Sequence, residues 1–143
     1  MKQSFVFAKF DESVKVLDML DPADAFKSMQ LQSADGTRFQ ATWTVPADLP
    51  YFKGHFPGMP IFPAVGIVDA TLYLVRQHLK TSHLSLAHFT NAKFLSPIEP
   101  GHRVEILAQT VGPEEWSVDW RSGEKLLSQL RFRCAPRNGL GRQ

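Results

Sequence analysis

The chain has 143 residues, 43% of them hydrophobic and 21% charged, which is the make-up of one ordinary globular domain with a single packed core. A net charge of +2 gives no compositional support for a nucleic-acid binder, and Cys134, as the single cysteine, excludes an intrachain disulfide framework and fits a reducing compartment. The charge is uneven: residues 1–50 hold five Lys/Arg against seven Asp/Glu, whereas Arg131, Arg133, Arg137 and Arg142 stand in a tail with no acid. That basic end, running on into the tail 135–143, is either a surface for an acidic partner or a solvated edge strand with its tail.

From the start, M-K-Q-S-F-V-F-A-K-F-D-E offers no long apolar core and no small-residue cleavage site, so the expectation is no signal peptide and a cytoplasmic location. Asp11 can cap a short helix with Val14, Leu17 and Leu20 on one face, which Pro22 ends or redirects. Two strands follow. Residues 25–32 alternate only loosely, but in 38–45 Phe39, Ala41, Trp43 and Val45 face one way and Arg38, Gln40, Thr42 and Thr44 the other. The A-D-G-T at 34–37 joins them as a hairpin, with Asp35-Gly36 suited to a turn needing positive φ.

Residues 46–63 carry Pro46, Pro50, Pro57, Pro60 and Pro63 with Gly54 and Gly58, which predicts an ordered loop without regular helix or sheet. From Ala64 to about Lys80 the pattern is helical, with Pro63 near the first helical position. Apolar residues Val65, Ile67, Val68, Leu72, Tyr73, Leu74 and Val75 surround the axis, so this helix is expected to be mostly buried. Its apolar run, from Ile61 to Val75, is broken by Pro63 and Asp69 and is too short to span a bilayer. Four more strands are predicted at 84–95, 102–111, 115–121 and 125–134. Their inward residues are Val104, Ile106 and Ala108, then Trp116, Val118 and Trp120, then Leu126, Leu130, Phe132 and Cys134, with turns at Gly112-Pro113 and Ser122-Gly123. Two strands, a buried helix and four strands make an α+β domain, one curved antiparallel sheet around a central helix, with no repeat and no second domain in 1–143.

The chemistry concentrates between Lys53 and Asp69. Asp69 is a carboxylate on an otherwise apolar helix, where burial raises the cost of its charge and suits it to general-acid work. The alternative is a structural aspartate bonded to loop backbone or facing a solvated groove. His55 lies 14 positions earlier, bracketed by Gly54, Pro57 and Gly58. It is either a base working near neutral pH or a histidine that satisfies backbone groups. The helix start just after this loop can stabilise an oxyanion. Base, acid and oxyanion site are the parts needed to take a proton α to a carbonyl and expel a β-hydroxyl. Competing sites read poorly: His78, His83 and His88 recur at i+5, which neither a helix face nor a strand face brings together as metal ligands, and no nucleophile-elbow, phosphate-loop or dinucleotide fingerprint is present.

The segment Y-F-K-G-H-F-P-G-M-P-I-F-P-A-V-G-I-V-D-A at 51–70 resembles the active-site segment of the FabZ/FabA family of 3-hydroxyacyl-[acyl-carrier-protein] dehydratases, and N-A-K-F-L-S-P-I-E-P-G-H at 91–102 resembles that family's strand and turn after the helix. The likeness covers roughly 23–134. It implies a hot-dog fold, a six-stranded sheet around the central helix, in a homodimer whose active sites combine the histidine of one subunit with the acid of the other. By the same resemblance His55 removes the C2 proton, Asp69 helps the 3-hydroxyl leave, and the backbone N–H of Ala64 holds the thioester oxygen. Phe56, Phe62 and Val65 are implied to line the acyl tunnel. No metal or organic cofactor is implied, nor any nucleic acid or membrane span; the partner is acyl carrier protein, which is acidic and complements Lys53 and the C-terminal arginines.

Three departures stand out: the acid is aspartate, as in the FabA branch; Ala64 replaces the usual glycine; and Tyr73 replaces a common glutamine four residues after the acid. The region before residue 38 also matches poorly. These suggest a specialised member, in fatty acid or a polyene- or polyketide-like biosynthesis. The runner-up readings are a hot-dog acyl-thioesterase and a non-catalytic acyl-thioester-binding subunit.

Overall fold

A computed structural model describes residues 22–52, 61–84 and 88–136. The helix expected from Asp11, the loop with Lys53, Gly54, His55 and Phe56, and Arg137 and Arg142 lie outside the described residues. The elements run α1 (Pro22–Phe26), β1 (Gln30–Asp35), β2 (Arg38–Thr44), a 3-10 turn (Pro50–Phe52), α2 (Ala64–Leu79), β3 (His88–Phe94), β4 (Arg103–Gly112), β5 (Glu115–Ser122) and β6 (Lys125–Arg133). The six strands form one sheet in the order β1-β2-β4-β5-β6-β3, antiparallel at every pairing. With α2 as the one long helix among the described residues, this is the hot-dog architecture.

Period-2 alternation builds the sheet. Phe39, Ala41, Trp43, Val104, Ile106, Ala108, Trp116, Val118 and Trp120 are all buried on one face. Against them α2 buries Val65, Gly66, Ile67, Val68, Ala70, Thr71, Leu74 and Val75. Thr71 joins the two layers without leaving a polar atom unpaired. Its Oγ1 donates to the Ile67 carbonyl at 2.7 Å and accepts the Trp120 Nε1–H at 3.0 Å. Helix α2 starts after an extended Pro63 and stops at Lys80, whose left-handed backbone (φ 57°) closes the last turn onto Arg76 and Gln77. No helix among the described residues is long and apolar enough to cross a membrane.

The structure corrects the sequence reading at three places. Residues 25–29 are not strand: Pro22 opens α1, Met29 N–H bonds back to Phe26 O at 3.0 Å, and β1 begins only at Gln30. This bend drops the fully buried Phe26 onto Trp43 and Tyr51, ring centroids 5.8 and 5.9 Å away. In the β1–β2 turn, Gly36 does not take a positive φ; among the described residues the glycines that do are Gly101 and Gly123. The Asp35 carboxylate holds that turn instead by accepting the Thr37 N–H at 2.7 Å and the Thr37 hydroxyl. In β6, Leu127 rather than Leu126 turns into the core. A bulge opposite Trp120 and Arg121 shifts the phase there, and the freed Leu127 carbonyl accepts the N–H groups of Leu95 and Ser96.

Candidate active site

The described half of the predicted site is built on α2 and the segment leading into it. Phe62 enters on a backbone bond to Ile98 O at 2.7 Å, and Gly66 and Ile67 direct their N–H groups back to Pro63 O. Ala64 is the first residue of α2, half-buried, and Pro63 supplies no side-chain cap there. Its N–H therefore sits where a helix presents amides to an anion. Asp69 follows one and a half turns later, about 7–8 Å along the axis.

Asp69 is half-buried on this apolar helix, and its Oδ2 accepts the hydroxyl of Tyr51 at 2.7 Å. Tyr51 belongs to the 3-10 turn and is 4% exposed. Its ring is gripped by Phe26 on one side (26° between planes) and by the edge of Phe62 on another (centroids 5.3 Å, 76°). Gly66 makes room for both rings: a Cβ there would stand 2.7 Å from Phe62 and 3.1 Å from Tyr51. Burial first, then the adjacent Asp69 carboxylate, push the Tyr51 phenol above its ordinary range, so it remains a donor.

Of the other predicted residues, Val65 and Phe62 lie in the core, Phe62 among Trp43, Tyr51, Phe52 and Trp120. His55 and Phe56 fall outside the described residues. Tyr73, at the position where the family has glutamine, packs its ring 5.5 Å from Phe26. The hydroxyl that orients the acid comes from Tyr51, 18 positions before it, a contact the sequence reading missed although Tyr51 opens the recognised segment. Helical spacing could have flagged Tyr73; no periodicity links a loop tyrosine to a helix acid.

This geometry carries an acid in a fixed pose close to a helix start, within the segment that resembles the dehydratases. Residues 30–131 match the ApeI-like family, described as ApeI dehydratase. The chain belongs to the ApeI-like dehydratase family. It is 31% identical over 113 residues to the 3-hydroxyacyl-[acyl-carrier-protein] dehydratase FabZ of Actinobacillus pleuropneumoniae, covering 71% of this chain and 73% of that one. It is 33% identical over 85 residues to the FabZ of Roseobacter denitrificans, covering 52% and 54%. Several of its curated relatives are thus matched over only about half to two thirds of their length. Among solved structures, the dehydratase heterocomplex ApeI:P from Xenorhabdus doucetiae contains a chain of the same fold, with a TM-score of 0.66 at 18% identity over 74% of this chain and 94% of that one. A FabZ/FabA-type hot-dog dehydratase is therefore the class in which Asp69 has to be understood.

Proposed function

We propose that this chain is a hydro-lyase that converts 3-hydroxyacyl thioesters on acyl carrier protein to trans-2-enoyl thioesters, in fatty acid or related biosynthesis. The observation that carries this reading is Asp69: a half-buried carboxyl on an apolar helix, held in one pose by a buried tyrosine. An acid partly withdrawn from water and fixed in direction suits delivery of a proton to a leaving hydroxyl.

In the proposed reaction His55 takes the C2 proton of the thioester while the Ala64 N–H donates a hydrogen bond to the thioester oxygen as charge develops on it. The C2–H pair becomes the C2=C3 bond, the C3–O bond breaks, and Asp69 gives the departing hydroxyl its proton, so water leaves. His55 ends protonated and Asp69 ionised; proton exchange restores both. Nothing in this sequence of steps calls for a metal or organic cofactor. Phe56, Phe62 and Val65 would form the apolar wall along the acyl chain.

We place the reaction in a homodimer, with His55 of one subunit facing Asp69 of the other, and with acidic carrier protein drawn to Lys53 and to the C-terminal arginines. Arg131 and Arg133 are exposed on the outer face of β6, with exposed Lys93 beside them on β3 and Glu115 opposite Arg133 on β5, which supports a cationic contact centred on Arg131 and Lys93. The whole chain 1–143 is proposed to act as one such domain.

The test is turnover of a 3-hydroxyacyl carrier thioester by the purified chain and by His55→Ala and Asp69→Asn. Each variant is expected to lose at least about 1,000-fold in kcat, in keeping with the loss of a positioned acid or base. Wild-type rates in both variants would refute the mechanism. Release of free acid without an enoyl product would instead assign the chain to thioester hydrolysis.

A further inference from the structure

The Tyr51–Asp69 pair says more than that the acid is held. Resting on the dehydratase reading, we propose that Tyr51 is a positioning residue of the acid: its hydroxyl holds Asp69 Oδ2 as an acceptor and so sets the direction in which the carboxyl faces the leaving hydroxyl.

The first ground is that Tyr51 has little freedom to point elsewhere. Its backbone is in the short Pro50–Phe52 turn, where Phe52 N–H bonds to Leu49 O at 3.1 Å, and its ring lies between Phe26, Phe62 and the bare backbone of Gly66. Gly66 and Asp69 are three residues apart on α2, hence on neighbouring turns of one face. The ring that rests on Gly66 thereby reaches the carboxyl above it with its hydroxyl at 2.7 Å.

The second ground is the direction of the bond. A phenol that resists deprotonation donates, and the oxygen that receives it is the one that bears the carbonyl or negative character. When the carboxyl gives up its proton, the charge left on it meets a donor already in place, an interaction that strengthens as the transition state forms. Tyr73, which occupies the glutamine position, packs its ring on Phe26, while the described hydrogen bond to the acid comes from Tyr51 in the turn before the helix.

Tyr51→Phe removes one oxygen and keeps the ring. In the full-length chain it is expected to lower kcat by roughly ten- to a hundredfold, with KM within about twofold and the thermal midpoint within a few degrees. In an Asp69→Asn background, single-turnover rates are expected to show no further loss on adding Tyr51→Phe, because Tyr51 acts through the acid. A readout independent of turnover is infrared difference spectroscopy: the carboxyl band that disappears in Asp69→Asn should shift in Tyr51→Phe. An unshifted band, an unchanged kcat, or an equal loss in both backgrounds would each overturn the assignment. A band that shifts in Tyr51→Phe while the wild-type chain forms no enoyl product would locate the failure in the dehydratase reading, and the catalytic part of the assignment would fall with it.

Discussion

Cys134 and Asp69 are both polar groups on apolar elements, and their surroundings give them opposite fates. Cys134 is 4% exposed at the end of β6, its N–H bonded to Glu114 O at 2.9 Å. Burial, and after it the Glu114 carboxylate, push its thiol up to about 11. At neutral pH it is a neutral, enclosed thiol, so alkylation by iodoacetamide of the native protein is expected to be at least about 100-fold slower than in denaturant, and to quicken only as pH approaches 11. Equal rates in the folded and unfolded chain would contradict this packing. The role of Cys134 was legible in the alternation of its strand. The partner of Asp69 was not, because a loop tyrosine and a helix aspartate meet through tertiary folding and leave no periodic trace. Leu126 shows the same limit: alternation places it inward, but a bulge whose carbonyl serves Leu95 and Ser96 puts Leu127 there instead.

At the scale of the element, α2 is where propensity and packing conflict. Glycine inside a helix costs about 1 kcal/mol relative to alanine, so Gly66→Ala would stabilise an isolated helix. Here the added methyl would meet the Phe62 ring at 2.7 Å, in a site already enclosed by Tyr51. Overpacking of this kind costs about 1–3 kcal/mol, and the clash is expected to outweigh the helical gain. Urea unfolding of Gly66→Ala should show a net loss of roughly 1 kcal/mol, with weaker turnover as Tyr51 is displaced. A more stable variant would mean that the rings yield freely. The helix itself was legible from its apolar run, including Pro63 at its threshold and its exit near Lys80. Its glycine was not, since nothing in a sequence says which ring will lie on it. The α1 segment was misread for a related reason: Phe26 is fixed by the rings of Trp43, Tyr51 and Tyr73, all distant in the chain.

At the scale of the whole molecule, the six-stranded order leaves β1 and β3 at the edges. The β3 edge carries Lys93, its bulge at Phe89/Asn91 interrupts regular pairing with β6, and Leu95 just beyond it is 55% exposed. Charges and bulges guard an edge against indiscriminate pairing, while an exposed leucine beside one suits a specific partner. A homodimer in light scattering at micromolar concentration is the expected outcome; a monomer that dehydrates substrate would contradict a site shared between subunits. The α+β architecture, the strand order along the chain and the acid on its helix all followed from hydrophobic pattern and from the resemblance at 51–70. The register of the sheet and the identity of the acid's holder required the folded chain.

The most direct measurement of the central claim is mass spectrometry of carrier-bound 3-hydroxyacyl thioesters incubated with the protein across a range of acyl chains. The account predicts loss of one water with the thioester intact for the wild-type chain, and formation of that product at least about 1,000-fold slower for His55→Ala or Asp69→Asn. Substrates left unchanged by the wild-type protein, or released as free acids with no enoyl product, would contradict it.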